Sequence, residues 1–365
     1  MYKMMTPGPT QVKENVRLAR AKECGNPDID ESFADFYKET CEKISRLLHT
    51  ENETLILGGE GILGLEAACA SLTEPGDKVL VLDNGIFGEG FADFVSLYGG
   101  EPELYTVDGR NPICPQELEA FLKESHDYKY ATLVHCDTPS GILNDIGVLC
   151  PILKKYGILT VVDAVSSMFG EEVRVDDSGI DILCGGSQKA VSAPPGLTFV
   201  TLSAEAKDAM ARRKTPVASF YANLRLFEGY YEAKWFPYTM PISDIYGLRA
   251  AIDNIAADPD MLPRHARIAG ECRKSLTEAG LKLYLESGFS NTVTVFDVPE
   301  GTTAQEILET MRSEHGILLA GSLGSLAGKV IRIGHMGSNA NEEDMAETME
   351  ALWKTLQKLG VELKR

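Results

Sequence analysis

From about residue 30 to residue 200, short apolar runs alternate with stretches whose apolar residues recur at helical spacing. The strand-like runs are Thr54–Leu57, Lys78–Asp83, Tyr130–His135, Ile158–Asp163, Ile180–Cys184 and Leu197–Leu202. Helical patterns follow the first two, over Ile62–Leu72 and Gly88–Tyr98. The runs are continuously apolar rather than alternating, which marks strands buried on both faces. This alternation predicts an α/β fold with a mainly parallel sheet and helices on both sides. After about residue 255 the pattern shifts to a smaller α+β unit. Met261–Ala279 reads as a long helix, Asn291–Val298 as a strand, Ala304–Glu314 as a helix and Lys329–Ile333 as a strand. Asn341 caps a last helix, Glu342–Leu359, whose acidic first turn suits the helix dipole. The expected division is a large domain over residues 14–254 and a smaller C-terminal domain over 255–365.

Composition narrows the function classes. The chain has 365 residues, enough for one large core plus a second domain. Lys and Arg total 35 against 54 Asp and Glu, a formal net charge of −19. That balance opposes non-specific binding to nucleic acid or to anionic membranes. The eight cysteines, at 24, 41, 69, 114, 136, 150, 184 and 272, form no CxxC pair and no Cys/His cluster at metal-ligand spacing, so no metal is expected. The first ten residues hold no apolar segment of the secretory kind, and no run is long enough to span a bilayer. Reduced thiols and a cytoplasmic location are the expectation.

The chemistry centres on Lys189, set in Gly185-Gly-Ser-Gln-Lys-Ala between two apolar runs and followed by Pro194-Pro195. A lone lysine at a turn is ordinarily a solvated surface group, because its ammonium is strongly hydrated. Twenty-six positions upstream, however, Asp163 ends the apolar run Ile158–Val162. Its carboxylate should emerge at the C-terminal edge of the sheet, where open α/β folds bind ligands. Alone it reads equally well as a turn residue. Together, a desolvated amine and a buried carboxylate are what pyridoxal phosphate requires. The lysine holds the aldehyde as a Schiff base, and the aspartate keeps the ring nitrogen protonated.

A glycine loop, Gly58-Gly-Glu-Gly-Ile-Leu-Gly64, lies between a strand and a helix, where backbone N–H groups can cradle a phosphate. Gly59, Gly61 and Gly64 also spell G-x-G-x-x-G, and Asp83 closes the next strand about 20 residues later, as in a dinucleotide-binding fingerprint. An NAD-dependent oxidoreductase therefore stands as an alternative. It leaves Asp163, Gln188 and Lys189 without a task.

With these pieces assembled, the chain resembles the class V aminotransferases of the fold-type I pyridoxal-phosphate enzymes, near the alanine–glyoxylate and serine–pyruvate types. The resemblance runs through Thr6-Pro-Gly-Pro-Thr10, Gly59–Ala67, Asn84–Gly88, His135-Cys-Asp-Thr-Pro-Ser-Gly141, Val162–Ser167, Gly186-Ser-Gln-Lys189 and Gly328–Gly334. It implies fold type I, pyridoxal 5'-phosphate as cofactor, small amino acids and 2-oxo acids as substrates, and a homodimer with active sites at the subunit boundary. It also assigns roles. Lys189 and Asp163 are catalytic; the loop residues Glu60, Gly61 and Ile62, with Gln188, reach the phosphate. Thr239 does so from the neighbouring subunit. Phe87 stacks on the ring, Thr138 bonds the cofactor, Arg332 grips the substrate carboxylate, and Gly8, in an N-terminal segment 1–13 that joins the site, approaches the substrate. 2-Aminoethylphosphonate–pyruvate aminotransferase shares most of these motifs and is the closest alternative activity. Cysteine desulfurase is excluded, since no cysteine follows Cys272. Four departures stand out: Glu60 where a small hydroxyl is usual, Phe236 in place of a tyrosine, Pro139 in a loop usually rich in Ser and Thr, and Cys24–Asp30 in place of a segment often containing His-Arg.

Overall fold

A computed structural model describes residues 2–364. After helix α1 (Glu31–Leu47) the chain lays down β1 (Glu53–Gly58), α2 (Gly61–Leu72), β2 (Lys78–Asp83), α3 (Ile86–Leu97) and β3 (Glu101–Thr106). Next come β4 (Tyr130–Val134), β5 (Leu159–Asp163), β6 (Ile182–Gly186) and β7 (Leu197–Leu202). These seven strands form one sheet in the order β1-β7-β6-β5-β4-β2-β3. The pairings from β6 through β3 are parallel, and β7 runs antiparallel to both β6 and β1. The α/β expectation is met. The central strands β4, β6 and β7 are buried along their whole length, as continuous apolar runs require.

Strand β3 escaped the hydrophobic pattern because it lies at the sheet edge. It has no apolar run, it is mostly exposed, and Pro102 suits a position with one unpaired side. The predicted helix starts and stops lie within two residues of those observed. Asn341 caps its helix, the Asn341 side chain accepting from the Asp344 N–H at 2.8 Å.

Beyond α4 (Ile242–Ala256), α5 (Met261–Glu278), α6 (Ala304–His315) and α7 (Glu342–Lys358) pack around the antiparallel pair β8 (Val293–Asp297) and β9 (Val330–Gly334). Their apolar faces make a second core from Ile268, Leu276, Phe296, Ile307, Ile331, Ile333 and Leu352. Met5, from the other end of the chain, is buried in that core. The N-terminal segment is stitched there by two backbone pairings: Lys3 and Met4 run parallel to Ile317 and Leu318, and Gly334 N donates to Met5 O at 2.8 Å. That arm then passes over the C-terminal edge of the large sheet. Among the described residues, no helix is long and apolar enough to cross a membrane.

Candidate active site

Strand register brings the key segments together. Asp163 pairs with Val134 on one side and with Cys184 on the other, so β4, β5 and β6 end side by side. The pocket at this edge is lined by Glu60, Gly61, Ile62, Phe87, Thr138, Asp163, Gln188 and Lys189, with Cys136 and Ser166 among the others. Eight of the residues picked out from the sequence therefore share one cavity.

Lys189 follows the end of β6 and is almost wholly buried. Its Nζ donates to the carbonyl of Pro7 at 2.7 Å, and Thr10 Oγ1 donates to the Lys189 backbone carbonyl at 3.0 Å. Burial lowers its pKa to about 8; the nearby Arg332 adds to this and Asp163 partly offsets it. A fraction of the amine is therefore unprotonated near neutrality, as a nucleophile requires. Gly8 sits at φ +91° with Lys189 packed against it, and a Cβ there would lie 2.7 Å from both Cε and Nζ. Only glycine fits this close approach.

Asp163 is buried, and burial pushes its carboxyl up to about 7. Its Oδ1 accepts the Val165 N–H at 2.8 Å, which fixes the side chain, while Oδ2 accepts no hydrogen bond among the described residues. A buried carboxyl with one free oxygen, facing a cationic N–H, would recover its charge. Phe87 is held by its backbone: its N–H donates to Asp137 Oδ1 at 3.0 Å. Asp137 also takes the Ser140 hydroxyl at 2.7 Å. The Thr138 hydroxyl makes no hydrogen bond to a described residue, and Thr138 lines the pocket. Arg332, on β9, donates from Nε to Gly321 O at 2.6 Å and from Nη1 to Thr138 O at 3.2 Å. Its Nη2 donates to nothing, and it forms no ion pair among the described residues.

Thr239 lies elsewhere. Within this chain its hydroxyl bonds Asp28 at 2.8 Å, and it takes no part in the pocket lining. Phe236 is packed among Phe33, Tyr37 and Tyr230 with no polar atom to offer. Sequence reasoning passed over three positioning groups: the Pro7 carbonyl, the Thr10 hydroxyl and the Asp137 carboxylate. Pro7, Thr10 and Asp137 all lie inside quoted motifs, but their partners are distant or backbone atoms that no spacing rule reveals.

The residues present fit the ring end of pyridoxal phosphate: an aldehyde-reactive amine, a carboxyl with a free oxygen and an aromatic face. The phosphate end does not match a dianion. Glu60 caps α2, its Oε1 accepting the Ile62 N–H at 3.1 Å, and its Oε2 accepts Gln188 Nε2 at 2.9 Å. Two of the donors expected to meet a phosphate, the Ile62 N–H and Gln188 Nε2, are thus engaged by a carboxylate of the chain itself. Lys189 is the one cation among the lining residues described.

The sheet and the buried lysine–aspartate pair at its C-terminal edge match the pyridoxal-phosphate-dependent transaminases of fold type I. The chain belongs to the aminotransferase class-V family, whose model matches residues 8–345. It is 32% identical over 341 residues to the pyridoxamine–pyruvate transaminase of Mesorhizobium japonicum, covering 92% of this chain and 87% of that one. It is 31% identical to the alanine–glyoxylate aminotransferase of Callithrix jacchus, covering 97% and 87%. The crystal structure of ureidoglycine–glyoxylate aminotransferase from Bacillus subtilis superposes with a TM-score of 0.96 at 27% identity, over 100% of this chain and 95% of that one. Family membership removes the dinucleotide reading.

Proposed function

We propose that the chain moves the amino group of a small amino acid, alanine or serine, to a 2-oxo acid such as glyoxylate or pyruvate in a ping-pong cycle. The observation that carries this reading is the pairing of a buried amine, lowered to about 8, with a buried carboxyl that keeps one oxygen free. A pyridoxal ring, the part of the family's cofactor that these residues fit, would supply an aldehyde to carry the amino group and an electron-poor ring to absorb negative charge at Cα. Lys189 Nζ is the amine that would hold that aldehyde, and when free it is the base placed to move a proton between the substrate Cα and the carbon that carried the aldehyde. Asp163 Oδ2, which takes no other donor among the described residues, would hold the proton of a ring N–H. Phe87, oriented through its N–H by Asp137, would cover a ring face. Arg332 offers the free Nη2 edge of its guanidinium to the substrate carboxylate, the geometry that makes such a fork selective for planar oxyanions. Gly8 leaves room beside Nζ for the substrate.

In this reading residues 14–254 form the cofactor domain and 255–365 the smaller one, with 1–13 crossing into the site. Two copies form a homodimer in which Thr239 reaches the partner's pocket. Exposed Phe220 and Tyr221, the latter stacked 4.4 Å from Tyr238, support such an interface. The eight unpaired cysteines support a reducing compartment, the cytoplasm.

Visible absorption spectroscopy of the coloured holoprotein tests the reading, with L-alanine, L-serine and 2-aminoethylphosphonate added separately. Bleaching by alanine or serine supports it. Bleaching by 2-aminoethylphosphonate alone transfers the assignment to the phosphonate enzyme, and a protein that never takes colour ends both.

A further inference from the structure

We propose that this site takes the unphosphorylated B6 vitamers, pyridoxal and pyridoxamine, in preference to their phosphates, and that Glu60 sets that preference. The proposal rests on the aminotransferase reading of the same pocket and concerns only its 5' end. Two observations carry it. The first is what the N-terminus of α2 already holds. In a phosphate cup the free N–H groups of the helix start and a side-chain amide converge on the dianion. Here the Ile62 N–H and Gln188 Nε2 both converge on the Glu60 carboxylate, at 3.1 and 2.9 Å. A phosphate entering the cup meets that carboxylate with the Ile62 N–H and the Gln188 amide already taken. No lining cation other than Lys189 offsets the repulsion, and Lys189 is engaged with Pro7 O and faces the aldehyde end.

The second observation is an unpaired acceptor. Gln188 Oε1 is buried and has no hydrogen-bond partner among the described residues. A buried acceptor left unmatched is costly, so it selects a ligand that donates. The 5' hydroxymethyl of pyridoxal and pyridoxamine carries a hydroxyl proton. A phosphate dianion carries none. Gln188 Oε1 and the Glu60 carboxylate are thus two acceptors placed for one ligand donor, which an alcohol supplies.

The test measures dissociation constants of pyridoxal and pyridoxal 5'-phosphate by absorbance titration of ligand-free protein, in wild type, Glu60→Gln, Glu60→Ser and Lys189→Ala. Gln at 60 keeps an acceptor for the Ile62 N–H but removes the charge. Thermal melts check that each variant is folded. The expected result is that wild type binds pyridoxal at least about tenfold more tightly than its phosphate. Glu60→Gln and Glu60→Ser should each tighten the phosphate at least about tenfold while leaving pyridoxal equal or weaker, a change of about 1.4 kcal/mol in preference. Tighter binding of the phosphate by wild type would overturn the proposal, as would an unchanged preference in both Glu60 variants. A lysine-dependent band with either aldehyde, absent in Lys189→Ala, keeps the aminotransferase reading standing whatever the preference. Loss of that band in every protein removes the reading and the proposal with it.

Discussion

Replacing Gly334 with alanine tests whether the N-terminal arm sets the reactivity of Lys189. Gly334 ends β9, and an added Cβ would overlap the backbone of the arm at the Thr6 carbonyl and the Pro7 nitrogen. Backbone atoms cannot rotate aside as a side-chain tip does, so the arm must retreat by on the order of 1 Å. The Pro7 carbonyl rides on that segment. A retreat of this size stretches its 2.7 Å bond with Nζ beyond hydrogen-bond range and admits water beside the amine. Burial is the largest cause of the lowered pKa, so hydration moves Lys189 from about 8 back toward 10.5. Each unit recovered removes about nine-tenths of the free amine at pH 7, so pyridoxal condenses about ten times more slowly per unit. The overpacking itself costs about 1–3 kcal/mol, a fall in Tm of about 1–4 °C. Stopped-flow absorbance with pyridoxal from pH 6 to pH 10 measures the midpoint. Gly270→Ala is the control, because a Cβ on that α5 residue meets nothing within 4 Å. A Gly334→Ala protein with the wild-type midpoint and wild-type Tm refutes the claim that the arm tunes the lysine.

Three further outcomes follow from the same geometry. In wild type the condensation rate should rise about tenfold per pH unit below about 8 and level off above it, read by the same stopped-flow signal. The Asp163 carboxyl is raised from 3.8 to about 7 on folding, so its contribution to the ligand-free protein's stability is complete below pH 4 and lost as pH rises through 7. Asp163→Asn should therefore gain on wild type by up to about 4 kcal/mol between pH 4 and pH 8 in urea melts, while its turnover falls by about 10²–10⁴; parallel stability curves would contradict the cause given. Arg332→Gln should raise KM for the acid substrates about 10–100-fold, with pyridoxal affinity within about twofold of wild type, in steady-state kinetics and absorbance titration respectively.

The sheet was legible in the sequence where burial is two-sided. Runs such as Ile158–Asp163 and Leu197–Leu202 are almost wholly apolar or β-branched, with threonine the only polar residue before Asp163, and they became β5 and β7. The orientation of β7 was not legible, since a buried antiparallel strand carries the same apolar run as a parallel one. Edge strand β3 was missed because Glu101, Pro102 and Glu103 have one neighbour instead of two and no apolar run to show. At the site, Lys189 and Asp163 could be found because a charge inside an apolar run is chemically anomalous. Glu60 was visible as an anomaly but not as a cap: only the fold brings Gln188 to it across 128 positions. Pro7 and Asp137 act through placement of backbone and turn, and composition says nothing of either.

The arm that closes over Lys189 gives the pocket a late birth during translation. Lys3 and Met4 pair with Ile317 and Leu318, the Gln11 N–H is held by Asn339 Oδ1 at 2.9 Å, and Met5 O by Gly334 N. Residues 3–11 thus wait for partners synthesised more than 300 positions later. Until then a nascent chain can lay down its large sheet with Lys189 not yet covered by the Pro7 carbonyl. The burial that lowers the Lys189 pKa is complete only when the arm meets residues 317–339, so a stalled product would carry the lysine without that perturbation.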